Sequence, residues 1–227
     1  MHSLLVIIAG KLIALIIGIF CFKFLFRALK IIFIQVFVAL LCECYAKYLV
    51  VSFNHSSINN LHIYNNTWVF NIYMLIEFIL LSLAGRLLLG TKLFRIGIPV
   101  VIVLQTILWG VNIYVKGMNQ FASWSFICGS IIIVAIYIAI LFQHSLFTKQ
   151  NILTQPVFWL CMSVILFFGC DVPYWGLHNY LDSKNLSLDR KLFIINYILN
   201  FVRYPLVAVS FLICGLNASK KHLKITA

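Results

Sequence analysis

Long apolar runs separated by short polar ones set the pattern of this chain. Seven of them, at about residues 4–22, 31–51, 67–89, 96–115, 121–142, 156–175 and 192–215, each reach the length a helix needs to cross a bilayer, roughly 20 residues. The pattern predicts an all-α, polytopic membrane protein: a single seven-helix bundle over residues 1–227. Pro99 and Pro156 fall in the first turns of the fourth and sixth runs, where a missing N–H costs little. Pro173 and Pro205 fall inside runs and predict kinks, static or mobile.

The polar segments differ in charge. Those after the first, third and fifth runs, with the C-terminal tail, hold ten Lys and Arg (Lys23, Arg27, Lys30, Arg86, Lys92, Arg95, Lys149, Lys220, Lys221, Lys224). The alternate segments hold four (Lys116, Lys184, Arg190, Lys191), and Ser52 to Asn66 has none. Short basic loops mark the cytoplasmic side, so the N-terminus is expected outside and the C-terminus inside. The first run precedes its basic cluster, which is the wrong order for a signal peptide. Tyr48, Tyr64, Trp68, Tyr114, Trp124, Tyr174 and Trp175 fall near the expected exterior boundary, as an interfacial belt would. Gly176 to Arg190 reads as an exterior loop.

Composition agrees with the pattern. The chain is 63% hydrophobic and 10% charged, with a mean hydropathy of +1.06, too apolar for a water-exposed surface. The net charge of +12 is spread around the apolar runs rather than gathered on a face, which argues against nucleic acid as a partner. The seven cysteines lie in apolar runs, and the six histidines are scattered in loops and termini. Neither arrangement makes a disulfide framework, a metal site or a cofactor site, and no phosphate loop or nucleophile elbow is present. The seventh run has no lysine for a retinal Schiff base.

Ionisable groups within spans mark functional sites by default. Here they are Glu43, Lys47, Glu77, Asp171 and Arg203, joined by Gln35, Asn71, Gln105, Asn112, Asn196 and Asn200. Lys11 either snorkels or faces the bundle. Most of the group belongs to the exterior half of the spans. Helical spacing puts Asn196, Asn200 and Arg203 on one face, Gln105, Trp109 and Asn112 on another, and Tyr73 with Glu77 on a third. Glu43 and Lys47, at i and i+4 in the favourable order, are expected to neutralise each other in part, leaving Glu77 as the partner for Arg203. Two readings stay open. The groups line an outward polar cavity between the second, third, fourth, sixth and seventh helices, or they form a closed network that fixes helix packing.

The second half of the chain carries Cys128-Gly129-Ser130 with Ile131-Ile132-Ile133, Gln155-Pro156-Val157-Phe158-Trp159, Phe167-Phe168-Gly169, Gly176-Leu177-His178-Asn179-Tyr180-Leu181, Asn200 with Tyr204, and Phe211-Leu212-Ile213-Cys214. Asn71-Ile72-Tyr73 and Leu75-Ile76-Glu77 add to these. In these residues, about half of the chain, it resembles an uncharacterised family of small seven-helix bacterial inner-membrane proteins. The resemblance implies the topology and a bacterial inner (plasma) membrane, and no activity.

Three functional classes follow. The first is a receptor-like sensor that signals through a cytoplasmic partner. The second is a small transporter, permease or oligomeric channel using the intramembrane Glu and Arg residues. The third is a lipid-acting membrane enzyme using Glu43, Glu77 or Asp171, which ranks last because no nucleophile or metal cluster accompanies them. The bilayer is the expected partner in every case, and a homo-oligomer is open.

Overall fold

A computed structural model describes residues 2–56, 66–147, 151–184 and 186–226. It contains seven α-helices and, among the described residues, no strand. They are α1 (His2–Cys21), α2 (Arg27–Ser56), α3 (Thr67–Leu88), α4 (Lys92–Lys116), α5 (Ser123–Phe147), α6 (Pro156–Lys184) and α7 (Leu186–Thr226), with short 3-10 turns at Phe22–Phe24 and Ile152–Thr154. Six of the seven, α2 to α7, are long and apolar enough to cross a membrane. Their outer faces are apolar, with Ile96 72%, Val115 73% and Phe142 65% exposed, while Asn71 and Asp171 are fully buried. That distribution is the inverse of a water-soluble fold, and it makes the chain a multi-pass membrane protein.

Helix ends and apolar-run ends do not coincide. The described residues of the expected loop from Gly176 to Arg190 are helical: α6 runs through Pro173 to Lys184, and α7 starts at Leu186. Hydropathy marks where a helix leaves the bilayer, and nothing in Leu186-Ser187-Leu188-Asp189-Arg190-Lys191 breaks a helix. At 41 residues, α7 is about 60 Å long, twice the hydrocarbon thickness, and so projects well past the apolar layer. By contrast, the α4–α5 turn needs its glycine, because Gly117 adopts φ +81°.

Neighbouring contacts run α1–α2–α3–α5–α6–α7 and back to α1, closing a ring of six helices. Successive members of the chain are antiparallel. Gly18 of α1 meets Phe33 of α2, and Gly10 and Gly18 meet Tyr204 and Phe211 of α7 in parallel. The α1–α7 approach is close enough that a Cβ on Gly18 would lie 3.1 Å from the Phe211 ring, and one on Gly215 would lie 2.8 Å from Cys21 Sγ. Small residues in such a seam let helix backbones pack where no hydrophobic effect drives them together. α4 stands outside the ring against α3 and α5 and is the least buried of these six helices.

The two halves of the ring differ. Toward the basic end, the centre is filled by Leu29, Ile32, Leu81, Ile133, Tyr137, Ile140, Leu160 and Phe211, each no more than 1% exposed. Phe78, Phe126 and Phe168 close this plug, with ring centroids 5.7–6.1 Å apart. The other half, where the chain begins, is hollow.

Candidate ligand-binding cavity

The hollow is a cavity of about 750 Å³ inside the ring. Asn66 and Thr67, at the start of α3, line its upper part, while Glu77, Phe167, Arg203 and Tyr204 line its depths. From Asn66 to Glu77 is about 16 Å of helix, so the cavity reaches toward the middle of a 30 Å apolar layer. Its volume is in the range of small-molecule sites.

The deepest polar group is Glu77. Its Oε1 accepts from Arg203 Nη2 at 2.7 Å, from Gln35 Nε2 at 2.8 Å and from the Tyr73 hydroxyl at 2.9 Å. Gln35 Nε2 also lies 2.8 Å from the Tyr73 oxygen. Three helices therefore converge on one carboxylate. The Arg203 guanidinium lies 4.4 Å from the ring centre of Phe167, 5.1 Å from that of Phe168 and 5.6 Å from that of Tyr204, so π-faces replace the water it gives up.

A second ion pair joins Lys11 of α1 to Glu43 of α2. This corrects the expected Glu43–Lys47 pair. Lys47 is exposed on the outer side of α2, while Lys11 is 6% exposed, with Nζ 5.2 Å from the Tyr204 ring centre. The i, i+4 spacing made Lys47 near in sequence, but α1 lies alongside α2 and brings a second lysine to the buried side.

The third group is Asp171 of α6. Its Oδ2 accepts from Trp175 Nε1 at 2.7 Å and from Asn196 Nδ2 at 2.9 Å. Asn200 donates to the Asn196 backbone and side-chain oxygens at 2.9 and 3.0 Å. Trp175 stacks on Phe121 with ring centres 3.9 Å apart.

Of the residues expected from sequence to form the site, Glu43, Tyr73, Glu77, Asp171, Asn196, Asn200 and Arg203 line this cavity. Lys47, Trp109 and Asn112 do not. Trp109 donates to the Asn71 backbone oxygen at 3.0 Å. With its amide oxygen turned toward α5, Asn112 accepts from Trp124 and Ser125 N–H at 3.3 and 3.2 Å. Gln105 donates to the Ser125 backbone oxygen and hydroxyl. The polar face of α4 thus fastens it to its neighbours and caps the first turn of α5. Periodicity showed that these side chains share a face but not what the face meets.

Sequence reasoning left Lys11 undecided and did not foresee the part of α1 and α5 in the wall. A signal was present: Lys11 belongs to the same face as the small residues Gly10, Ala14 and Gly18, which marks the side of α1 that packs. Asn71 holds the α4–α5 turn. It donates to the Met118 and Gln120 oxygens at 2.9 Å each and accepts from Ala122 N–H at 3.1 Å. Among the described residues no three His, Cys, Asp or Glu side chains come close enough to hold a metal ion. Comparison of the chain with family models, curated proteins and solved structures found no match.

Proposed function

We propose that the chain is a receptor-like membrane protein that binds a small polar or charged molecule in the ring cavity. In this reading all seven helices cross the membrane, the N-terminus and the cavity face outward, and the C-terminus is cytoplasmic. The observation that carries it is the pairing of a hollow, polar half with a solid, apolar half. A ligand site needs the first, and a passage to the other side is opposed by the second. The basic segments cluster at the solid end, which supports a cytoplasmic assignment for that end. α1 is wholly apolar apart from its ends and Lys11, and it packs in register along α2 and α7, which supports its crossing with them. The connections at the solid end are short, so a signal would pass to a separate cytoplasmic protein. The bacterial inner membrane is the location implied by the resemblance noted above.

A transporter is the second reading, favoured by Pro205. It stands in α7 two residues after Arg203 and withholds an N–H from the oxygen of Phe201, a weak point beside the deepest ion pair. One labelling experiment tests both. In a cysteine-free background, Asn200→Cys is exposed to a membrane-impermeant thiol reagent from one side at a time. Labelling from the outside alone is expected for a receptor. Labelling from either side supports a transporter, and none from either side overturns the cavity reading.

A further inference from the structure

We infer that the cavity takes a protonated organic amine, with its N–H group on Asp171 and its apolar body against Phe121, Phe126 and Trp175. This rests on the cavity being a ligand site and names the ligand's chemistry.

Charge balance is the first reason. Among the described residues, five acidic or basic side chains line the wall: Lys11, Glu43, Glu77, Asp171 and Arg203. Two ion pairs, Lys11–Glu43 and Arg203–Glu77, consume four of them. Asp171 is left with no cationic partner among the described residues. Its two hydrogen-bond donors, the Trp175 indole and the Asn196 amide, are neutral. Among the described residues the wall therefore lacks one positive charge.

Geometry is the second. Asp171 is fully buried, and its Oδ1 has no hydrogen-bond partner, although Oδ2 has two. A buried carboxylate oxygen without a donor forfeits a bond it held in water. A ligand N–H supplies both the missing donor and the missing charge, whereas a hydroxyl supplies only the donor and a quaternary ammonium only the charge. Asn196 and Trp175, the two donors to Oδ2, are only half-buried, so the side chains around this carboxylate border open space.

The surroundings are the third. Beside Asp171, Trp175 stacks on Phe121, and Phe126 lies 5.7 Å from the Trp175 ring centre. Aromatic faces attract a cation and bury the hydrocarbon attached to it. The same wall disfavours an anion. Each cation already holds a carboxylate, and Arg203 is covered by three rings, so an anion would have to break a buried ion pair.

The test uses the full chain in lipid nanodiscs and three probes of one shape: phenethylamine, phenethyl alcohol and hydrocinnamate, titrated by calorimetry. Phenethylamine is expected to bind, the alcohol roughly tenfold or more weakly, and the carboxylate not at all. Asp171→Asn is expected to reduce amine affinity by a similar factor. Equal binding of the alcohol or the carboxylate overturns the inference, as does an amine affinity unchanged in Asp171→Asn. The probe series on the unaltered chain decides the matter even where that variant does not fold. If Asn200→Cys is labelled from outside and no amine binds, the ligand class is wrong. If Asn200→Cys is not labelled at all, the cavity itself is wrong.

Discussion

The Glu77–Arg203 pair gives the sharpest quantitative prediction, because two magnitudes compete for it. Polar contacts between membrane helices are worth about 0.6 kcal/mol on average, since the unfolded chain in lipid also finds partners. Breaking a buried ion pair by removing one member costs about 3–5 kcal/mol, because the other charge stays behind uncompensated. Exposure decides between them: the two side chains are 2% and 6% exposed despite their place at the bottom of a cavity. The larger figure is therefore expected. Glu77→Gln leaves Arg203 with its rings, which return about 0.5–2 kcal/mol of cation–π attraction. Arg203→Met leaves Glu77 with two neutral donors, Gln35 and Tyr73. Each single variant should lose about 3 kcal/mol or a little more. The double variant should lose much less than their sum, since it strands no charge, and the coupling should exceed about 2 kcal/mol. Reversible SDS unfolding in mixed micelles measures all four corners of the cycle. Losses that add to within about 0.5 kcal/mol would show that the two residues are not coupled and would refute the pairing.

Three further outcomes follow from the same contacts. Glu43→Gln strands Lys11 and should destabilise by more than about 2 kcal/mol, while Lys47→Ala should stay within about 0.5 kcal/mol, both read by SDS unfolding. The reverse ranking would restore the i, i+4 pair. Asn71→Ala removes three hydrogen bonds at the α4–α5 turn and should cost about 2–3 kcal/mol at roughly 1 kcal/mol each. It should also raise hydrogen exchange at Ala122, and unchanged exchange there would count against this bracing role. Trp109→Phe removes the indole donor to the Asn71 oxygen on the outside of the ring. It should therefore leave probe binding unchanged, and a loss of affinity would mean that α4 contributes to the site.

Much of this protein is written in its one-dimensional pattern, because a bilayer imposes a simple rule. Backbone polar groups must be satisfied within each crossing segment, so a long apolar run is a helix whatever surrounds it. The run lengths therefore located all seven helices, and six meet the length and apolarity a crossing requires. Helix termini were less legible. Polar residues such as those at 186–191 continue a helix in water as readily as a loop, and only the coordinates show that α6 and α7 extend beyond the apolar layer.

The site divides in the same way. Which residues are costly to bury in lipid is a property of residue type, and Glu43, Glu77, Asp171 and Arg203 stand out in the sequence for that reason. Which way each faces is a property of the neighbours. Gln105, Trp109 and Asn112 share a face by the same spacing as Asn196, Asn200 and Arg203, yet one face meets α3 and α5 outside the ring and the other meets the cavity. Lys11 replaces Lys47 because α1 packs along α2 and brings Lys11 to the buried side of Glu43, a contact between residues 32 positions apart. Local periodicity fixes a helix and its faces. Only the packing of six helices around a centre decides that one half of that centre is filled by Phe78, Phe168 and Phe211, and that the other is left open around Asp171.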